Sequence, residues 1–261
     1  MNRPAVLAVM VANGLALSLL ERAAPHAPER PGGTRRHGAN LTLTALLVAL
    51  NVVLDRLLSA FGLVPGAGGP GAAVRAGLPG WAALLAVVVV LDGLAYAAHV
   101  LLHALPAAWR FHRVHHSDAR VDVTTAFRQH PLETVWRYCF LFAGAAVLDA
   151  PPAFVATYLA LSAANAQLEH ASVALPDRLD RALRVVFSTP AMHRVHHSRR
   201  QPETDRNYSN IFSFWDRLLG TYRAPVAGER IAFGLDDQDD AARQRVGGLL
   251  ALPFTHTSGN R

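Results

Sequence analysis

The sequence has no lysine, a single cysteine and few charged side chains of any kind. A lone Cys139, set inside an apolar run, excludes a disulfide framework and Cys/His zinc-finger chemistry. Charged residues are 17% of the chain, against about a quarter in soluble domains. With 51% hydrophobic residues and a mean hydropathy of +0.19, that scarcity argues for a membrane protein. The formal charge of +6 rests wholly on arginine. A coding bias would explain arginine in place of lysine, but not its position between long apolar runs. That placement suits cytoplasmic membrane flanks facing anionic headgroups, and no nucleic-acid partner is expected. Thirteen histidines in so apolar a chain are the feature to explain.

The expected fold is all-α and multi-pass, with about four to five membrane segments and a cytoplasmic, histidine-rich helical region. Residues 4–20 are long enough to span a bilayer, and they lack a small-residue cleavage site after a basic start, so a retained helix is expected. Residues 21–40 read as a cytoplasmic loop. Residues 41–63 form a second span, whose Asp55-Arg56 pair must face protein or lie near an interface. Residues 64–80 read as a flexible turn on the opposite side, and 81–105 as the third span. Segments 134–149 and 152–169 flank Pro151-Pro152 and fit either a re-entrant hairpin or two tilted passes. Expected units are 1–80 (membrane segments with loop 21–40), 81–225 (catalytic) and 226–261 (polar tail).

The third span ends LDGLAYAAHVLLH, residues 91–103. His99 and His103 stand four apart and share a helix face with Asp92 and Tyr96. A carboxylate behind such a pair could hold a ring N–H and fix its tautomer. On its own HxxxH is a weak signal. HRVHH, however, occurs twice word for word, as His112/His115/His116 and again as His193/His196/His197. Each copy offers two or three imidazoles to one small volume. Eight histidines from these boxes, with His170 a ninth, exceed the needs of one zinc and suit two metal ions with open positions. Imidazole accepts iron, zinc and copper, so the donors alone do not choose the metal. A pH-sensing or headgroup-binding surface would not need the repeated spacing.

At these residues the sequence resembles the fatty acid hydroxylase/sterol desaturase superfamily, whose signature is HxxxH, HxxHH and a second HxxHH. The likeness covers roughly residues 85–223. It includes VTTAFRQHPLE (123–133), STPAMHRVHHS (188–198), Asn207-Tyr208 and WDRLLGTYR (215–223). It implies a di-iron centre, four or so membrane passes and O2-dependent lipid oxidation. It also implies His99, His103, His112, His115, His116, His170, His193, His196 and His197 as metal ligands. His130 matches a histidine near the family's site, as ligand or in support of one. Val100 stands where the family often has arginine, a departure bearing on local contacts rather than on metal binding.

Other side chains have plainer expected roles. His26, His37 and His256 lie in polar stretches and are expected to be solvated. Trp215 and Asp216 are expected to pack and cap the C-terminal part. Glu133 either orients His130 or pairs with an arginine. Arg113 and Arg194, inside the boxes, either neutralise carboxylates or guide an acidic electron donor.

The expected function is thus a membrane lipid hydroxylase or desaturase, with two iron ions, O2 as co-substrate and zinc as a substitute metal in purified protein. Its expected partners are a lipid and an external electron donor of ferredoxin, cytochrome or reductase type. The expected setting is the cell inner membrane, with the metal site on the cytoplasmic side. A membrane metal transporter would place its ligands at mid-membrane along a path, whereas these lie at span ends. A zinc-dependent hydrolase would want a base within an HExxH motif, which does not occur.

Overall fold

The computed structural model describes residues 3–26, 33–66, 69, 71–226, 230–236 and 242–255. His256 lies outside the described residues, as do parts of the expected 21–40 loop, the 64–80 turn and the C-terminal tail. The chain is all-helical, and among the described residues the only β pairing is three isolated bridges.

The long apolar runs form α1 (Arg3–Ala23), α2 (Gly33–Ala60), the single turn α3 (Ala72–Arg75) and α4 (Gly80–Ala104). By length and composition α1, α2 and α4 could each cross a membrane. Pro106 then opens α5 (Pro106–His116), where its missing N–H costs nothing. A 3-10 turn (Val123–Phe127) leads to α6 (Pro131–Val147) and α7 (Pro152–His170), which break apart at Pro151-Pro152 because proline cannot continue α6. Short helices follow: α8 (Asp177–Leu183), α9 (Pro190–His196), α10 (Gln201–Thr204), α11 (Phe214–Leu218) and α12 (Val246–Ala251).

All five long helices run between the same two ends of the molecule. At one end, Asp149 in the α6–α7 turn accepts from Gly66 N at 3.1 Å and meets Arg75 at 2.6 Å, so this turn packs on the α2–α4 connection. At the other end, Glu21 of α1 accepts from Val123 N at 2.8 Å and from Ser172 N at 2.7 Å, beside the C-terminus of α7. α6 and α7 span 17 and 19 residues, roughly 26 and 29 Å at the rise of an α-helix. Their core with α4 is Val87, Val88, Leu91, Ala145, Val155 and Tyr158. Gly144 permits this close approach, since a Cβ there would lie 2.3 Å from Leu94 Cδ1.

The expected loop 21–40 is mostly helix wherever it is described, with α1 running to Ala23 and α2 starting at Gly33. Tertiary partners explain the early start of α2. Arg36 reaches Asp118 at 2.8 Å and also pairs with Asp122, while Asn40 donates to Asp118 at 3.0 Å. His37, rather than being simply solvated, lies 3.2 Å from Asp122. His26 is exposed. Asp55 of α2 accepts a 2.5 Å hydrogen bond from the Tyr138 hydroxyl, so it faces protein.

Candidate metal centre

Four helices deliver histidines to one buried volume at the end where α4 and α7 terminate. Each HRVHH box sits on a short helix begun by proline: α5 by Pro106, and α9 by Pro190 with Thr189 as its cap. The histidines sort into two groups, each with its nitrogens within 4.8 Å of one another. One holds His99 and His103 from α4, His112 and His116 from α5, and His196 from α9. The other holds His115 from α5, His170 from α7, and His193 and His197 at α9. All nine are buried.

The two HRVHH copies are used reciprocally. Group one takes the first and last histidines of the α5 box and the middle one of the α9 box; group two takes the complement. His116 and His197 stack at 4.6 Å where the boxes meet. His112 stacks on His115 at 5.3 Å, as its counterpart His193 does on His196 at 5.1 Å. A local two-fold relation therefore underlies the repeated word, and α4 and α7 complete the two groups unequally.

Hydrogen bonds behind the rings fix their protons. His99 Nδ1 lies 2.7 Å from Tyr208 O, His196 Nδ1 2.8 Å from Arg206 O, and His170 Nδ1 2.6 Å from Ala166 O. His112 Nδ1 lies 2.9 Å from Glu133 Oε1, and His103 Nδ1 3.2 Å from Asp205 Oδ1. Carbonyls and carboxylates only accept, so each of these Nδ1 atoms carries its proton and each Nε2 turns a bare lone pair inward. Yet His99 Nε2 and His112 Nε2 are 3.1 Å apart with no proton to share. In group two, Nε2 of His170 lies 3.1, 3.0 and 3.2 Å from Nε2 of His115, His193 and His197. His196 Nε2 is buried with no hydrogen-bond partner among the described residues. Converging lone pairs of this kind fit a cation in each group. Burial holds His112, His115, His116, His193 and His197 below the usual imidazole range, and His196 down to about 3. These rings are therefore neutral donors at pH 7.

Several expected neighbours stand elsewhere. Asp92 faces away from both histidines of its helix and accepts instead from Ile211 N and Phe212 N at 3.1 Å and from Trp215 Nε1 at 3.2 Å. Gly93 makes room for that indole, whose Cζ2 would sit 2.9 Å from a Cβ. Asp216 ties the same segment, accepting from Tyr208 N at 2.8 Å and Ser209 N at 3.0 Å. Both carboxylates thus hold the stretch whose carbonyl meets His99. The Tyr96 hydroxyl bonds Thr221 at 2.7 Å. His130 belongs to neither group; its Nδ1 accepts from Leu132 N at 3.1 Å and caps α6. Glu133 meets His112 and Arg137 rather than His130. Arg113 and Arg194 are buried, donating to Leu252 O at 2.5 Å and Val173 O at 3.4 Å, so neither offers a docking charge. Burial lowers Arg194 to about 10.

Asp205, the carbonyls of Arg206 and Tyr208, Arg137 and Glu169 also belong to the site, outside any histidine motif. Glu169 is buried, its Oε2 3.8 Å from His193 Nδ1 and without a hydrogen-bond partner among the described residues. Its one available signal was a carboxylate near the end of an apolar helix, an expensive choice unless used.

A cavity of about 220 Å³ opens from both groups, touching His99, His115, His170 and His193. It runs between α1, α2, α4, α6 and α7, against Met10, Leu47, Leu141 and Leu159.

Fold and site together define a helical, histidine-rich metal-site protein with an apolar cavity at its centre. Residues 84–221 match the fatty acid hydroxylase family model, and the chain belongs to that family. It is 35% identical to an ornithine lipid hydroxylase of Rhizobium tropici over 54% of this chain and 42% of that one. It is 31% identical to the human alkylglycerol monooxygenase over 54% and 30% of the two chains. With the rat cholesterol 25-hydroxylase the figures are 23% identity over 62% and 53%. The chain thus spans less than half the length of the first two relatives. No solved structure matches.

Proposed function

We propose that this chain is an O2-dependent membrane lipid oxygenase that hydroxylates its substrate, with residues 81–225 as its catalytic unit. One observation carries the reading: two groups of buried imidazole lone pairs converge at the head of an apolar cavity. The nine histidines are the ligands in this account, His99, His103, His112, His116 and His196 for one iron and His115, His170, His193 and His197 for the other. A bound iron pair supplies the activation of O2 that no side-chain acid or base can provide. Overall, a C–H bond and O2, with two electrons and two protons, give C–OH and water. An external donor of the ferredoxin, cytochrome or reductase type supplies the electrons.

The chain's own residues prepare this chemistry. Carbonyls of Ala166, Arg206 and Tyr208, with Glu133 and Asp205, fix the ring tautomers. Leu47, Leu141 and Leu159 receive the acyl chain and exclude water. The relatives named above carry lipid hydroxylation or monooxygenation in their names, which supports the substrate class. We further place the histidine end on the cytoplasmic side of the inner membrane, because Arg22, Arg35, Arg36 and the arginines after residue 106 lie towards it. α6 and α7 count as two passes, sharing the ends of α4. Iron-reconstituted protein given ¹⁸O2, a reductase system and total membrane lipid should yield a lipid carrying one ¹⁸O atom by mass spectrometry. Iron-loaded, reducible protein that leaves every lipid unlabelled would overturn the proposal.

A further inference from the structure

Arg137 is the one arginine in the wall of the cavity, on the inward face of α6 with Thr134 one turn before it and Leu141 one turn after. A cation among Met10, Leu47 and Leu159 is costly unless something neutralises it. Glu133 does so only in part. The Oε1 atom that takes Arg137 Nε at 2.8 Å also takes His112 Nδ1 at 2.9 Å, so its charge is shared with a ring of the metal site. Among the described residues no acceptor meets the Arg137 Nη atoms, and the side chain, 28% exposed, lines the cavity. Beside it, the Thr134 hydroxyl is buried with no hydrogen-bond partner among the described residues. A guanidinium edge with a free hydroxyl next to it is the donor set for a planar or tetrahedral oxyanion.

We propose that Arg137 and Thr134 bind the oxyanion of an acidic lipid, a carboxylate or a phosphate, so that its head lies beside the histidine groups. The acyl chain then follows Leu141, Leu159 and Met10 away from them, and the C–H bonds presented for oxidation are those near the head. This rests on the lipid-oxygenase reading and deepens it by naming the substrate class. Arg137 and Thr134 act as binding and positioning residues.

The test is a binding comparison on the full metal-loaded chain in detergent, using oleate against oleyl alcohol and dioleoylphosphatidic acid against dioleoylglycerol. Wild type should bind at least one acid about tenfold more tightly than its neutral partner, the size of one charge-assisted hydrogen bond. Arg137→Gln should abolish that preference while neutral lipids bind within about twofold of wild type. A preference confined to oleate assigns a carboxylate source, and one confined to phosphatidic acid a phospholipid. Equal binding of acids and neutral lipids by wild type overturns the inference, and decides the matter even where the Gln variant does not fold. So does an acid preference that survives in Arg137→Gln, which would assign the oxyanion to the metal ions. Product analysis of the same samples separates the two readings. Oxidation of neutral lipids without dependence on Arg137 sinks this inference and leaves the oxygenase standing, whereas Arg137-dependent acid binding without any oxidation does the reverse.

Discussion

Asp92→Asn is the sharpest test of how the C-terminal segment is held over the histidines. The carboxylate takes three donors, Ile211 N, Phe212 N and Trp215 Nε1. The amide is isosteric but keeps one acceptor oxygen and turns an NH2 toward donors that cannot receive it. The amide oxygen turns to the side of Phe212 and Trp215, so the bond from Ile211 is the one lost and the other two no longer meet a charge. At about 1.5–3 kcal/mol for the lost bond to a charged group, with the two that remain weakened, the cost is about 2–4 kcal/mol. For a chain of this size that lowers the unfolding midpoint by roughly 4–16 °C. Thermal unfolding in detergent, followed by circular dichroism, reads it directly. All nine histidines remain, so metal content at low temperature should hold while the midpoint drops. A shift under about 2 °C would refute the assignment of Asp92 as the anchor of residues 211–215.

Other perturbations follow from the same contacts. Glu133→Gln weakens the carboxylate behind His112 and should lower metal affinity in the five-histidine group by about 10–100-fold, read by competition with a chelator. Gly144→Val should destabilise the α4–α6 contact by about 1–3 kcal/mol or more, because even a Cβ meets Leu94 at 2.3 Å; an unchanged midpoint would contradict that packing. Asp118, held low by Arg128 and Arg36 against the opposing effect of burial, makes stability depend on pH. Its folded pKa lies below the ordinary 3.8, so its stabilisation is complete above that value and lost as pH falls through the lower one. Asp118→Asn should therefore be less stable than wild type at neutral pH, with the two curves converging in acid.

What was legible in the sequence was what repeats. Long apolar runs announce α1, α2 and α4, and the duplicated HRVHH announces a multi-histidine centre, because helical spacing alone brings such rings to one volume. What was illegible lies in contacts between distant segments. Asp92 shares a helix face with His99 in projection, yet its partners are about 120 residues away, and two of the three are backbone N–H groups that carry no side-chain signature. The Tyr208 and Arg206 carbonyls that orient two rings are hidden for the same reason. The sequence leaves Arg113 and Arg194 either to neutralise carboxylates or to guide an acidic donor, because the carbonyls that take them lie in distant segments. The step of one residue that turns His112 and His193 inward turns these arginines to the far side of their helices, where α12's extension and the segment after α7 bury them. The polar start of α2 read as loop because its partners, Asp118 and Asp122, arrive some eighty residues later.

The most direct test of the central claim is metal content per chain of detergent-purified, iron-reconstituted protein, wild type beside His196→Ala, His197→Ala and the double variant. These neighbours belong to different groups. Two metal ions per wild-type chain are predicted, with each single variant weakening one site and the double variant losing or halving the total. Less than one metal per wild-type chain, unchanged by the substitutions and by reconstitution, would contradict the dinuclear centre.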